Sequence, residues 1–158
     1  MNYCYFQSPF GKILLTGNEL LESIHFPLNK IKKEPGLDFI YNEKPFLQVL
    51  KQLQAYFKGE LTKFNLEFKI QGTSFQKKVW QELVKIEYGE TISYGEVAKK
   101  IGNPKAARAV GMANNKNPIP IIIPCHRVIG KNGSLTGFGG GLEIKQYLLE
   151  LEKHECTH

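Results

Sequence analysis

The sequence predicts an α/β fold of the α+β type, with a three-stranded sheet and one helix in the N-terminal part and mainly helices after it. Two observations predict this arrangement. The first 26 residues consist of short apolar runs separated by turn-forming residues, which is typical of a meander of strands. After residue 73, apolar residues recur at helical spacing behind two capping motifs. The 158 residues suffice for one substantial core, or for a small domain and a mid-sized one.

The N-terminal strands are predicted at residues 3–6, 13–16 and 20–26. The segment 8–11, which reads Ser-Pro-Phe-Gly, separates the first two strands, and Gly17-Asn18 separates the last two. We therefore expect three consecutive strands joined by short turns.

One helix and a further strand are predicted next. Apolar residues in 45–57 follow helical spacing, and Gly59 ends the run. From 64 to 70, apolar and polar residues alternate, which is typical of a half-buried strand.

A domain boundary is predicted at Gln71-Gly72, where the alternation stops. Residues 1–72 are expected to form the first domain and residues 73–158 the second. The second opens on a capping box, in which Thr73 accepts a backbone hydrogen bond and Gln76 reaches back. The helix that follows carries an apolar stripe of Phe75, Val79, Trp80, Leu83 and Val84.

Two short helices after this one form a predicted helix-turn-helix. Ser93 and Glu96 make a second capping box, and Gly102 ends the helix that it opens. Asn103 is suited to cap the next helix, with Pro104 at its first position. Helix pairs of this kind are used on DNA, although many are purely structural.

The second helix of the pair has an unusual composition for a reader of the major groove. Its residues are mostly small, and its one large polar side chain is Arg108. Small residues suit close packing against a neighbouring helix. They also allow the backbone to approach a narrow minor groove, where an arginine could wedge into the base stack. Both interpretations stay open on the pattern alone. The small residues are Ala106, Ala107, Ala109, Gly111 and Ala113.

The net charge of +6 is concentrated in one stretch of the chain. Residues 91–131 contain seven lysines and arginines and one glutamate, so this stretch carries the whole excess. The rest of the chain carries equal numbers of each sign. Basic side chains gathered in this stretch, which contains the helix pair, favour a polyanionic partner such as a nucleic acid.

The cysteine content and the hydropathy indicate the compartment. Three cysteines are too few for a disulfide framework, which favours a reducing compartment. No run approaches ~18 consecutive apolar residues, and no secretory signal is visible. We expect a cytoplasmic protein, or a nuclear one in a eukaryote, with no membrane partner.

The segment 117–130 contains the strongest candidate nucleophile, Cys125. Three prolines precede it, and we expect them to keep the segment extended. A thiol with its usual pKa of ~8.5 needs a base, and His126 follows immediately. Neighbours on an extended chain point to opposite sides, so contact requires a turn or a bridging water. The C-terminal helix offers a carboxylate to orient the imidazole, from Glu143, Glu150 or Glu152.

The spacing of the cysteines and histidines does not favour a zinc site. Apart from His154 and His158, none of them shows ligand spacing. We therefore expect neither a metal nor a cofactor.

Several motifs resemble the O6-alkylguanine-DNA alkyltransferases, a family of DNA-repair methyltransferases. They are Ser93-Tyr94, the run 102–111, Asn117-Pro118 and Pro124-Cys125-His126-Arg127-Val128. The likeness spans about residues 73–152. The N-terminal part is similar to the family's ribonuclease-H-like companion domain only in length and in the order of its strands and helix.

The resemblance implies an irreversible, single-turnover repair reaction. Cys125 matches the cysteine that takes the alkyl group from O6 of guanine, with O4-alkylthymine left open as a second substrate. His126 matches the residue that deprotonates this cysteine through a water, and Glu152 matches the glutamate that orients the histidine. Asn117 matches the asparagine that braces the turn. The implied partner is double-stranded DNA carrying O6-alkylguanine, bound by a monomer.

The resemblance also implies the DNA contacts and the pocket. Arg108 matches the arginine that fills the gap left by a flipped nucleotide. Tyr94 matches a tyrosine beside the rotated phosphate and the guanine edge. The implied DNA-binding residues are Tyr94 and Arg108, and the implied pocket residues are Tyr94, Phe138, Gly139 and Lys145. We also predict DNA contacts by Ala107, which is one of the small residues beside Arg108, and by Arg127, which lies in the basic stretch. Family members often carry Tyr at the position of Phe138 and Ser or Ala at that of Gly139.

Two other functions compete with repair. A sensor of alkylated DNA would use the same fold, but relatives of that kind lack the cysteine that is present here. A cysteine hydrolase would use Cys125, His126 and Glu152, but it would leave Arg108 and the helix pair without a role.

Overall fold

The N-terminal part of the chain folds into a four-stranded sheet. The computed structural model describes residues 1–27, 35–135 and 141–156, and the chain divides into two units, Met1–Ile70 and Gln71–His158. In the first unit, β1 (Asn2–Ser8), β2 (Gly11–Gly17) and β3 (Leu21–His25) form an antiparallel meander. The predicted three strands are confirmed. The sheet gains β4 (Ile40–Tyr41), which lies parallel to β1 and which the sequence did not predict.

The first hairpin turns where the sequence predicts it. Ser8 Oγ accepts from the Phe10 N–H at 3.1 Å and donates to the Gly11 carbonyl at 2.6 Å. Gly11 has φ +116°, a conformation that a side chain would disfavour. A short 3₁₀ turn then leads into α1 (Leu47–Phe57). The helix buries Val49, Leu53 and Tyr56 on one face. The predicted apolar spacing is wrong at Leu47, which is 57% exposed.

The strand predicted at 64–70 is not formed. The segment makes one isolated bridge, between Phe68 and Leu21, although its side chains do alternate in exposure. The backbone of Asn65 hydrogen-bonds to the side-chain amide of Gln52 instead of a neighbouring strand, at 2.9 and 3.0 Å. An alternating sequence therefore gives an extended segment here without a full ladder.

The second unit begins with the predicted capping box. Thr73 Oγ1 accepts from the Gln76 N–H, and the Gln76 side chain accepts from the Thr73 N–H, at the start of α2 (Ser74–Val84). The predicted apolar stripe is wrong at Val84, which is 52% exposed. The indole N–H of Trp80 donates to the Ala113 carbonyl at 2.9 Å and so joins α2 to α4 (Ala107–Asn115).

The predicted helix pair is present as α3 (Tyr94–Lys100) and α4. Ser93 and Glu96 form the expected capping box, and Gly102 has φ +85° after the end of α3. The expected start of the second helix at Pro104 is wrong. The Ala106 N–H donates to the Asn103 carbonyl at 3.0 Å, which closes a turn over residues 103–106. The helix then begins at Ala107.

The remaining elements enclose the cysteine. A 3₁₀ turn at Cys125–Arg127 is followed by β6 (Val128–Ile129), which pairs in parallel with β5 (Ile92–Ser93). The last helix is α5 (Leu142–Cys156). In the described part of the chain, every helix is too short or too polar to cross a membrane. The predicted mixed fold class is confirmed.

Candidate active site

The segment before Cys125 folds back on itself, and the expectation of an extended rod is wrong. The side chain of Asn117 accepts from the Ile119 N–H at 2.9 Å and donates to the Ile123 carbonyl at 2.7 Å. The Ile123 N–H also donates to the Ile119 carbonyl at 2.9 Å. Ile121 adopts φ 76°, which is strained for a β-branched residue. The prolines restrict φ, but the two hydrogen bonds of Asn117 close the turn.

Cys125 lies at the start of the 3₁₀ turn and is 4% exposed. Burial raises the pKa of its thiol to about 11, although a hydrogen bond with Asn117 and the charge of Lys145 act in the opposite direction. The resting side chain is therefore a thiol. A nearby group must remove its proton before it can act as a nucleophile.

His126 pairs with Glu152 in the interior. Nε2 of the imidazole lies 2.6 Å from a carboxylate oxygen, and both side chains are buried. Of the three glutamates that the C-terminal helix offered, the structure brings Glu152 to the histidine and leaves Glu143 and Glu150 exposed.

The free nitrogen of His126 is suited to accept a proton. Nδ1 is buried and has no hydrogen-bond partner among the described residues. Burial lowers the pKa of His126, and the hydrogen bond and charge of Glu152 only partly oppose this effect. A neutral ring that donates Nε2–H to the carboxylate has its lone pair on Nδ1. His126 therefore has the protonation state that a general base requires.

Arg127 lies in the interior, so the structure corrects the expectation that it contacts DNA. Its Nε and Nη2 donate to the two carboxylate oxygens of Glu152 at 2.8 and 3.0 Å. Nη1 donates to the Ile86 carbonyl at 2.6 Å, and the guanidinium lies 5.8 Å from the ring centre of Tyr88. Arg127 is 6% exposed and three of its N–H groups donate to internal acceptors, so its guanidinium is not presented to a phosphate at the surface.

Glu152 accepts hydrogen bonds from three residues. Besides His126 and Arg127, the Gly89 N–H donates to Oε1 at 3.3 Å. Burial would raise the pKa of this carboxyl group, but the hydrogen bonds from His126 and Arg127 and the charge of Arg127 outweigh it and bring the pKa to about 2. The carboxylate is therefore ionised at neutral pH and holds the imidazole in one orientation.

Lys145 is a buried amine beside the cysteine turn. Its Nζ donates to the Val128 carbonyl at 2.7 Å and lies 5.9 Å from the ring centre of Tyr94. Burial lowers its pKa to about 8, while the attraction of Cys125 opposes that shift. The ammonium group lowers the thiol pKa in return, so it favours the thiolate once the proton has left.

Sequence reasoning missed Asn114. This residue of α4 is buried, and its Nδ2 donates to the Cys125 carbonyl at 3.2 Å. Its Oδ1 is buried without a hydrogen-bond partner in the described residues. A signal was available, because Val110, Ala113 and Asn114 share the i, i+3, i+4 spacing of a buried helical face. The buried side of α4 thus holds the backbone of the cysteine directly.

The opposite side of α4 is a basic surface. Arg108 is exposed one residue after Ala107, at the start of the helix. Tyr94 opens α3, and its ring approaches the small surface of Gly111, where an added Cβ would lie 3.8 Å from it. Of the basic residues in 91–131, Arg127 is buried and the others are exposed: Lys99, Lys100, Lys105, Arg108, Lys116 and Lys131.

Two predicted pocket residues, Phe138 and Gly139, lie outside the described residues. Within residues 1–27, 35–135 and 141–156, no group of three or more His, Cys, Asp or Glu side chains could hold a metal ion. The described side chains around Cys125 comprise one base, one carboxylate, two cations and two amides: His126, Glu152, Arg127, Lys145, Asn114 and Asn117.

Comparisons with known proteins cover nearly the whole chain. The model of the 6-O-methylguanine DNA methyltransferase DNA-binding domain matches residues 74–154, and that of the ribonuclease-like domain of the same family matches residues 1–70. A methylated-DNA–protein-cysteine methyltransferase of Methanosarcina acetivorans is 55% identical over 153 residues, covering 96% of this chain and 98% of that protein. One from Mycobacterium leprae is 49% identical over 148 residues, covering 94% and 90%.

A solved structure gives the same result. The crystal structure of Mycobacterium tuberculosis OGT in complex with DNA superimposes with a TM-score of 0.90 at 47% identity. The match covers 98% of this chain and 94% of that one.

Proposed function

This chain belongs to the 6-O-methylguanine DNA methyltransferase family and repairs DNA by alkyl transfer from O6-alkylguanine, and from that premise we propose that Cys125 is the acceptor. The family, the activity and the DNA-binding role predicted from the sequence are confirmed. The observation that carries the assignment of the acceptor is the buried pair of His126 and Glu152 next to this cysteine, with Nδ1 of His126 left free.

The transfer is a single displacement. His126 takes the thiol proton on Nδ1, directly or through a water, and Glu152 stabilises the imidazolium that forms. The sulfur attacks the alkyl carbon, a C–S bond forms, and the bond from that carbon to O6 breaks with its electron pair on guanine. The guanine anion then takes up one proton, which balances the proton lost by the thiol.

The product is a thioether, so the reaction is irreversible. A thioether has no proton to lose and no good leaving group, so no later step returns the thiol. Each molecule therefore acts once. Lys145 favours the transfer because its charge stabilises the thiolate.

The DNA partner is a duplex carrying O6-alkylguanine. O6 is inaccessible to a buried cysteine while the base is stacked, so the nucleotide must leave the helix, at a cost of a few kcal/mol. We assign Arg108 to the gap that it leaves and Tyr94 to the rotated phosphate. The small residues beside Arg108 suit minor-groove approach. The exposed lysines supply phosphate contacts, which position the protein without reading sequence.

One chain contains all the groups of this site, which supports action as a monomer. A free thiol acceptor also requires a reducing environment, which supports a cytoplasmic location.

Intact-mass measurement after incubation with duplex DNA containing O6-methylguanine tests the proposal. We expect a stoichiometric gain of one methyl group, which Cys125→Ala abolishes. Cys4→Ala is the matched control, because Cys4 is also a buried free cysteine but lies in β1, and it should react like the parent. Tight binding without a mass gain would indicate a sensor, and repeated turnover would indicate a hydrolase.

A further inference from the structure

Met112 is the long apolar side chain on the exposed face of α4. It is 66% exposed, four residues after Arg108. At 100° per residue, this spacing places the two side chains about 40° apart around the helix axis, one turn from each other. Val110, Ala113 and Asn114 bury the opposite face. Met112 and Arg108 therefore point to the same side of the helix.

The surroundings of Met112 distinguish it from an ordinary exposed apolar residue. Single exposed apolar side chains are common on protein surfaces and need no explanation. Here, however, the neighbouring exposed side chains include Lys105, Arg108 and Lys116, which favour a polyanion. A polyanion that contacts Arg108 would therefore cover Met112 as well.

We propose that Met112 is an apolar DNA-contacting side chain that lies in the minor groove beside Arg108. The inference rests on the proposed function and extends its DNA surface. Four residues of helix advance by about 6 Å, close to two base-pair steps of about 3.4 Å. With Arg108 in the gap left by the target nucleotide, Met112 contacts sugars and base edges roughly two steps away.

Methionine suits this position chemically. Apolar side chains, methionine among them, are inserted into widened minor grooves, and the flexible thioether adapts to irregular surfaces. The contact uses no charge and no hydrogen bond. It should strengthen duplex binding without sequence preference, and it should release no counterions.

Fluorescence anisotropy of a labelled duplex, measured at several salt concentrations with the full chain, tests the inference. Met112→Gln keeps the length of the side chain but adds a polar amide. We expect it to weaken duplex affinity about tenfold, because less apolar surface is buried in the complex and the amide loses hydration there. Met112→Leu should stay within about twofold, because it preserves the apolar volume. The slope of log Kd against log salt should not change, whereas Lys105→Gln should reduce it by about one.

The free base O6-benzylguanine supplies the second readout, because a free base does not have to leave a duplex before it enters a pocket. Met112→Gln should react with it at the parental rate, as should the control Leu47→Gln, an exposed apolar residue of the other unit. Slow reaction of Met112→Gln with the free base would overturn the inference, since the substitution would then disturb the pocket.

The binding data distinguish a failure of the Met112 contact from a failure of the proposed function. If Met112→Gln bound the duplex as tightly as the parent, the role of Met112 would be overturned while the proposed function stood. If the parent itself neither bound the duplex nor accepted its alkyl group, the proposed function would fall, and this inference with it.

Discussion

Nε2 of His126 lies 2.6 Å from Oε2 of Glu152, and both side chains are almost completely buried. Because of this pair, the free energy of unfolding depends on pH in the acidic range. The pKa of Glu152 falls from its ordinary value of 4.5 to about 2 in the folded protein. A depressed carboxyl pKa contributes stability that is fully present above about pH 5 and is lost as the pH falls toward 2, in total about 3 kcal/mol.

Glu152→Gln should remove that acid-dependent stability. We expect urea unfolding from pH 7 down to about pH 3 to give a flatter profile for this variant than for the parent. Alkyl transfer should slow by about 100-fold or more, because the imidazole loses its orienting charge. Glu150→Gln is the control, since Glu150 is exposed on the same helix. An unchanged acid profile in Glu152→Gln would contradict the assignment.

Substitutions at the two arginines should affect either the stability of the fold or DNA repair, depending on which arginine is replaced. Arg127→Met leaves the buried carboxylate without its bidentate partner, which should cost about 3–5 kcal/mol in the free energy of unfolding. Arg108→Ala removes an exposed side chain and should leave that free energy within ~0.5 kcal/mol.

DNA repair should show the reverse pattern for Arg108. Arg108→Ala should transfer alkyl groups slowly from a duplex and at the parental rate from free O6-benzylguanine. Single-turnover rates on both substrates, with denaturant unfolding of both variants, make this comparison. Equal losses on the two substrates would show that Arg108 acts on the pocket and not on the flipped nucleotide.

Replacement of Lys145 should slow repair but should not destabilise the fold. Its pKa falls from 10.5 to about 8 on folding, so the folded state binds fewer protons between these values and its stability rises with pH there. Lys145→Met abolishes this penalty of about 3 kcal/mol and leaves the Val128 carbonyl without a donor, which costs about 1–3 kcal/mol.

We therefore expect the free energy of unfolding of Lys145→Met at pH 7 not to fall, and its rise between pH 8 and 10.5 to disappear. Alkyl transfer should slow by about tenfold, because the thiolate loses the nearby positive charge that stabilises it. Lys153→Met, an exposed position of the same helix, is the control. A variant that repaired DNA at the parental rate would refute the role of the ammonium group.

Asn114 should position the cysteine. Asn114→Leu has a similar volume but cannot donate to the Cys125 carbonyl, so the turn loses its bond to α4. A small misplacement of a nucleophile is costly, and the reaction with free O6-benzylguanine should slow about tenfold or more. Asn115→Leu is the matched control, because Asn115 is the next residue of the same helix and is exposed. Identical rates for the two variants would show that Asn114 does not position Cys125.

Alkylation of Cys125 should destabilise the protein. The side chain is buried in a tight turn, and overpacking a well-packed site costs typically about 1–3 kcal/mol. The midpoint of thermal unfolding should fall after reaction with methylated duplex DNA, whereas Cys125→Ala incubated with the same DNA should show no change. A midpoint equal to or above that of the unmodified protein would be the opposite of this expectation.

Local structure was predictable where the interacting residues are close in sequence. The boxes of Thr73 with Gln76 and of Ser93 with Glu96 lie within single helical turns, so residue type and spacing sufficed. The turn before the cysteine was not predictable in this way. Proline restricts φ and favours extended neighbours, whereas the chain here reverses because one side chain, Asn117, bonds to two backbone groups.

Contacts between distant segments account for the other differences. Arg127 was expected at the DNA surface because its charge was visible, but its partners are 25 and 41 residues away. The choice of Glu152 among three glutamates could have been made from helical phase. Lys145, Leu148 and Glu152 recur every three or four residues and are all buried. The family resemblance identified Glu152 correctly, and the helical periodicity gives the physical reason why this glutamate is buried.

The pairing of His126 with Glu152 has a consequence during synthesis. A ribosome extends the chain from its N-terminus, so Cys125 and His126 emerge before the helix that carries Glu152. Until that helix docks, the thiol has no oriented base, so a nascent or truncated chain should use up its single acceptor far more slowly than the folded protein. Full repair competence thus requires α5 to dock against the cysteine turn, and the cell's repair capacity depends on its number of folded, unreacted molecules.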